Sequence, residues 1–168
     1  MPAPAIPPPV LVVTTSPEAT QDLGAALGRV AAAGDRLALL GALGAGKTQL
    51  AKGFARGVGV EDVVNSPSFT LMAEYSGWLR LFHLDLYRLS GSDEVLGGGL
   101  FDERQAEGVT LTEWAERLDA ALDPDRLDVR IAIDGDERRS VELSSPGPRY
   151  ARYLEAAARW AAEGRRDA

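Results

Sequence analysis

Gly41-Ala42-Leu43-Gly44-Ala45-Gly46-Lys47-Thr48 fits G-x-x-x-x-G-K-[ST], a pattern that leaves a chain few ways to fold around it. Before it, Arg36-Leu37-Ala38-Leu39-Leu40 has the length and apolar character of a buried parallel strand. After it, Leu50, Phe54 and Val58 recur at helical spacing. Strand, Gly-rich turn and helix is the context of a phosphate-binding P-loop. Small residues let the backbone wrap an anion with its N–H groups inward, and the first turn of the helix adds unpaired donors. The nucleotide-binding set is therefore Gly41, Leu43, Gly44, Ala45, Gly46, Lys47 and Thr48, with Gln49 in that first turn. Lys47 supplies a compact ammonium for the β- and γ-phosphates, and the Thr48 hydroxyl can ligate Mg²⁺. The chain has sixteen arginines and only two lysines, Lys47 and Lys52. A lysine at this point of so Arg-biased a chain suggests a chemical requirement, because a planar guanidinium does not replace a point charge inside the loop.

The 168 residues, 45% hydrophobic, suffice for one substantial core. A net charge of −7 argues against a large unaided nucleic-acid surface, though not against docking on a protein that holds RNA. Without cysteine there is neither a disulfide nor a thiolate metal site. No apolar run reaches membrane-spanning length and the N-terminus is not that of a secretory signal, so a cytoplasmic protein with no membrane contact is expected.

Five prolines make residues 1–9 a disordered tail, and 10–168 are expected to form one domain. Val10 to Thr15 reads as a strand, Ser16-Pro17-Glu18 as a helix start, and Gly34 as that helix's end. Asn65-Ser66-Pro67-Ser68 is a hydroxyl-rich loop leading into a strand from Phe69 to Tyr75; Ser76-Gly77 turns, and Trp78 to Leu84 returns. Ser92-Asp93-Glu94 can start a short helix that Gly97-Gly98-Gly99 breaks. Val109 to Trp114 is a further core strand followed by a helical stretch, Ala115 to Leu122. Leu127, Val129, Ile131 and Ile133 alternate with polar or small residues, as in a half-exposed antiparallel strand; Val141 and Leu143 return after a turn, and Tyr150 to Glu163 packs as a helix. The fold class is α/β: a P-loop NTPase-like mixed sheet, parallel at its core and antiparallel at one side, flanked by helices.

Hydrolysis wants an acid that positions Mg²⁺ or water at the end of a neighbouring strand. Asp85 and Glu113 have that context, each against a plain alternative: an ordinary strand-end acid for Asp85, a helix-start acid for Glu113. His83, the only histidine, reads as packed rather than catalytic. Trp114 either packs in the core or flanks the nucleotide, and spacing leaves both open.

Taken together, Gly41–Thr48, Ser66-Pro67-Ser68-Phe69-Thr70-Leu71, His83-Leu84-Asp85-Leu86-Tyr87-Arg88-Leu89 and Leu111-Thr112-Glu113-Trp114 resemble, in order and spacing, the TsaE (formerly YjeE) family. Glu18-Ala19-Thr20…Leu23-Gly24 is similar to that family's opening helix, so the resemblance spans residues 14 to 122. It implies an ATPase, with ATP and Mg²⁺ as cofactors, required for the threonylcarbamoyl modification of a tRNA adenosine next to the anticodon. Its implied partners are a TsaD/TsaB-like complex and, through that complex, tRNA. By position, Lys47 and Thr48 would hold phosphate and Mg²⁺, Asp85 and Glu113 would be the catalytic and metal-binding acids, and Trp114 would be functionally sensitive. Ser66, Ser68 and Thr70 are switch candidates. The chain departs from the family at Ala42, where Asp is usual and the backbone N–H remains, and at Ser68, which replaces Thr but keeps a hydroxyl.

The expected function is Mg²⁺-dependent ATP hydrolysis used as a conformational switch. Two rivals stand beside it: a small-molecule P-loop kinase, for which Gly97–Gly99 and Arg104 would have to supply a lid, and a nucleotide-gated adaptor whose hydrolysis is incidental. The guanine-reading N-K-x-D motif of a GTPase is absent.

Overall fold

The computed structural model describes residues 5–67, 70–88, 103–117 and 123–166. Seven strands form one mixed sheet: β1 (Val10–Thr14), β2 (Arg36–Leu40), β3 (Met72–Tyr75), β4 (Leu81–Asp85), β5 (Val109–Glu113), β6 (Leu127–Ile133) and β7 (Arg139–Ser144). Their spatial order is β1-β7-β6-β2-β5-β4-β3. The central four, β6, β2, β5 and β4, run parallel. Antiparallel strands close both edges, β7 and β1 on one side and β3 on the other, where the sequence pointed to a single antiparallel side. The alternation in β6 concealed its double role. It pairs parallel with β2 and antiparallel with β7, and its outward residues meet solvent.

Helix α1 (Pro17–Gly28) starts as its sequence predicts: the Ser16 hydroxyl accepts the Ala19 N–H at 3.0 Å, and Pro17 takes the first position. It ends at Gly28, six residues before the expected stop at Gly34. Asp35 accounts for this by accepting the Ala32 N–H at 2.9 Å while its own N–H donates to the Ala32 carbonyl, which folds the intervening residues into turns. Helix α2 (Lys47–Gly57) packs backbone to backbone on α1. A Cβ on Gly24 would lie 2.3 Å from the Leu50 carbonyl oxygen, and one on Gly53 1.8 Å from that of Gln21. That contact anchors the helix whose first turn carries Lys47 and Thr48.

The β3–β4 hairpin forms, but β4 begins at Leu81 rather than Trp78. The Trp78 N–H donates to the Val58 carbonyl at 2.9 Å, so the first returning residues are tied to the end of α2 instead of to β3. Every residue of β4 and β5 is buried, although both strands carry polar side chains. On β4, Leu81, His83 and Asp85 share the α2 face, while Phe82 and Leu84 join Leu86 in a separate apolar cluster. Of the helical stretch after Trp114, Ala115–Arg117 is a single 3₁₀ turn and 118–122 lie outside the described residues. Tyr150 closes another 3₁₀ turn, and the final helix α3 is Ala151–Arg166. The helix start at Ser92, the Gly97–Gly99 break, Phe69 and Ser68 also lie outside the described residues. Among those described, no helix is long and apolar enough to cross a membrane.

Candidate functional site

The turn from β2 into α2 lies at the carboxyl ends of the four parallel strands, where ligands of open α/β sheets bind. Gly46, at φ 111°, caps α2 in a conformation open to glycine at little cost. Gly41 admits no side chain because a Cβ there would meet the Ile131 carbonyl oxygen at 2.5 Å. Leu43 to Gln49 form one wall of a cavity of about 440 Å³; Ser66, Asp85, Tyr87, Glu113 and Trp114 form the other.

Lys47 is buried, and its Nζ donates to the Gly41 carbonyl and, at 3.0 Å, to that of Ala42. The ammonium also sits 3.8 Å from the centroid of the Trp114 ring. Burial pushes its pKa below the usual lysine range, and the carboxylates of Glu116, Glu113 and Asp85 offset part of that. Thr48 Oγ1 donates to Glu113 Oε1 at 2.8 Å. The other carboxylate oxygen of Glu113 meets His83 Nε2 at 2.5 Å. Asp85 accepts from the Ser66 hydroxyl and, at 3.0 Å, from the Tyr87 N–H, while its own N–H donates to the Leu71 carbonyl. Trp114 adopts φ 57°, uncommon for a bulky residue, and this turn directly after Glu113 accompanies an indole lying over Lys47 and against Tyr87, 4.9 Å between centroids.

Most of the residues read from the sequence thus meet in one place. Gly41 contributes its carbonyl to Lys47 rather than lining the cavity. Thr70 is exposed, donates to the Met72 carbonyl at 3.3 Å and is not on the cavity wall, and Ser68 lies outside the described residues. Trp114 packs on the Phe82 cluster and also lines the cavity beside the loop.

Three residues at the site, Tyr87, Glu116 and Arg139, carry no functional reading from the sequence alone. Tyr87 sits two positions after Asp85 and was within reach of the same motif. Glu116 accepts the Gly41 N–H at 3.4 Å. Arg139, at the start of β7, donates from Nε to the Ala45 carbonyl at 3.0 Å and from Nη2 to that of Gly44 at 3.3 Å, bracing the loop from behind. No local pattern marks it, because its partner lies across the sheet. The sequence reads His83 as packed; it is packed, and it also contacts Glu113.

Thr48, Asp85 and Glu113 offer only hard oxygen donors. Among the described residues no group of three His, Cys, Asp or Glu side chains could hold a metal alone. That donor set fits Mg²⁺, which binds through one or two protein oxygens together with phosphate and water.

Comparison with known proteins gives a consistent result. The family model described as threonylcarbamoyl adenosine biosynthesis protein TsaE matches residues 14–141. The tRNA threonylcarbamoyladenosine biosynthesis protein TsaE of Bacillus subtilis is 41% identical over 138 residues, covering 82% of this chain and 86% of the relative. That of Treponema pallidum is 34% identical, covering 79% and 98%. The crystal structure of Bacillus subtilis YdiB superposes with a TM-score of 0.71 at 34% identity, covering 94% of this chain and 98% of that one.

Proposed function

This chain belongs to the TsaE family of tRNA threonylcarbamoyladenosine biosynthesis proteins, and we propose that its part there is Mg²⁺-dependent ATP hydrolysis, used as a switch on a TsaD/TsaB-like complex. The observation that carries the reading is the Thr48–Glu113 contact beside Lys47: a P-loop hydroxyl already paired with a strand-end carboxylate. The main-chain amides of the loop would donate to the phosphates. Lys47 would exchange the Gly41 and Ala42 carbonyls for phosphate oxygens, an exchange favoured because burial makes an ammonium poorly solvated there.

Thr48, Asp85 and Glu113 would hold Mg²⁺, which supplies charge neutralisation at the β- and γ-phosphates when bound. The two carboxylates would divide that task with orientation of the attacking water. Asp85 also touches Ser66 and Leu71, so nucleotide occupancy would be transmitted to the segment between those two residues and through it to the partner. tRNA would be met through the partner, in keeping with the net charge of −7, and the cytoplasm is the expected compartment. Residues 10–168 would act as a single P-loop ATPase domain.

The test is phosphate release from ATP with and without the partner complex and tRNA. Release that needs Mg²⁺ supports the reading; a labelled organic product would indicate a kinase, and absence of both under every condition would refute it.

A further inference from the structure

We infer that His83 is a positioning residue for Glu113, holding its carboxylate toward Thr48 for the hydrolytic step. The inference rests on the ATPase reading above. Glu113 and His83 are both buried, on neighbouring strands and on the same face. The register pairs Asp85 with Glu113 and His83 with Leu111, so the imidazole lies one diagonal step from the carboxylate. In the tautomer with its proton on Nε2, the ring donates to Oε2 at 2.5 Å while Thr48 donates to Oε1 at 2.8 Å. Two donors on opposite oxygens fix both the rotation and the reach of the side chain, as a histidine–carboxylate pair does around metal sites.

The other ring nitrogen shows what the histidine is not for. Nδ1 is buried and has no hydrogen-bond partner among the described residues. A site selected only for packing gains nothing from a buried unpaired nitrogen, and an apolar side chain of similar size would fill the space. Among the described residues, the imidazole's polar contact is with Glu113.

Two substitutions separate positioning from bulk. His83→Leu keeps apolar volume and removes the donor; His83→Gln restores an amide N–H near the place of Nε2. With the full chain, Mg·ATP and the partner complex, His83→Leu is expected to lower kcat by about 10- to 100-fold and to leave KM within about threefold, with His83→Gln recovering most of the loss.

A second readout is independent of turnover. His83 is the chain's only histidine, so its imidazole N–H signal is unambiguous in a ¹⁵N-labelled sample. The wild type should show a slowly exchanging, downfield N–H proton that is lost in Glu113→Ala. Absence of that proton in the wild type, an equally fast His83→Leu, or His83→Gln as slow as His83→Leu would each overturn the inference. A wild type that shows the proton yet never hydrolyses ATP, alone or with partners, would overturn the ATPase reading and the inference with it.

Discussion

Asp85 and Glu113 are register partners on adjacent parallel strands, and each is the last residue of its strand. Their side chains leave the sheet on the same face, one strand spacing (about 5 Å) apart. Two carboxylates so close repel, and under the proposed function a divalent cation at the phosphates would relieve that repulsion. Their partners differ: Asp85 is tied to Ser66 and the Tyr87 amide, Glu113 to Thr48 and His83. One acid therefore faces the Ser66 side of the site and the other the P-loop helix.

Glu113→Gln keeps the size of the side chain and removes its charge. Turnover is expected to fall about 100-fold or more, in the range of a lost general-base or water-orienting group, while nucleotide still binds. Single-turnover phosphate release against a binding titration separates the two effects.

Arg139 braces the loop through the carbonyls of Gly44 and Ala45, two residues of the cavity wall, without lining the cavity itself. Arg139→Ala should raise KM for ATP about five- to tenfold, the equivalent of roughly one net hydrogen bond, with kcat within about threefold. Steady-state kinetics checks this.

The parts of the site legible in the sequence were those whose neighbours in space are also neighbours in the chain. Lys47 and Thr48 follow their glycines directly, and Asp85 and Glu113 each end a strand run. The Thr48–Glu113 bond, which makes the acid part of the P-loop, joins residues 65 apart and had no local sign. Gly34 misled for the opposite reason. A glycine is a good helix stop, but the Asp35 side chain ended α1 earlier. The sheet was half legible. The β6 alternation holds as burial up to Ile131, with Ile133 exposed, and it gives half of the topology: the strand is antiparallel to β7 as expected but also parallel to β2, because alternation reports exposed faces and not strand direction.

Gly53→Ala introduces a methyl group that would sit 1.8 Å from the Gln21 carbonyl oxygen, with backbone on both sides and no flexible side chain to yield. Forcing α1 and α2 apart should cost about 1–3 kcal/mol or more, despite alanine's better helix propensity. Urea denaturation would show a lower midpoint with an unchanged slope.

Tyr153 donates to Asp35 at 2.5 Å, and burial raises its phenol pKa well above the usual value, with the Asp35 carboxylate adding to the shift. The folded state keeps the proton that the unfolded chain releases near pH 10, so this contribution is complete below about pH 10 and is lost as pH rises beyond it. Alkaline unfolding followed by circular dichroism should begin in that range. Tyr153→Phe should be less stable at neutral pH and show a shallower alkaline decline.

Binding of Mg·ATP measured by isothermal titration calorimetry, on the wild type and Lys47→Ala side by side, bears most directly on the proposed phosphate site. The wild type should give saturable heat that is lost or greatly weakened in Lys47→Ala. A wild type that binds no Mg·ATP, alone or with its partner complex, or a Lys47→Ala protein that binds it equally well, would contradict the account.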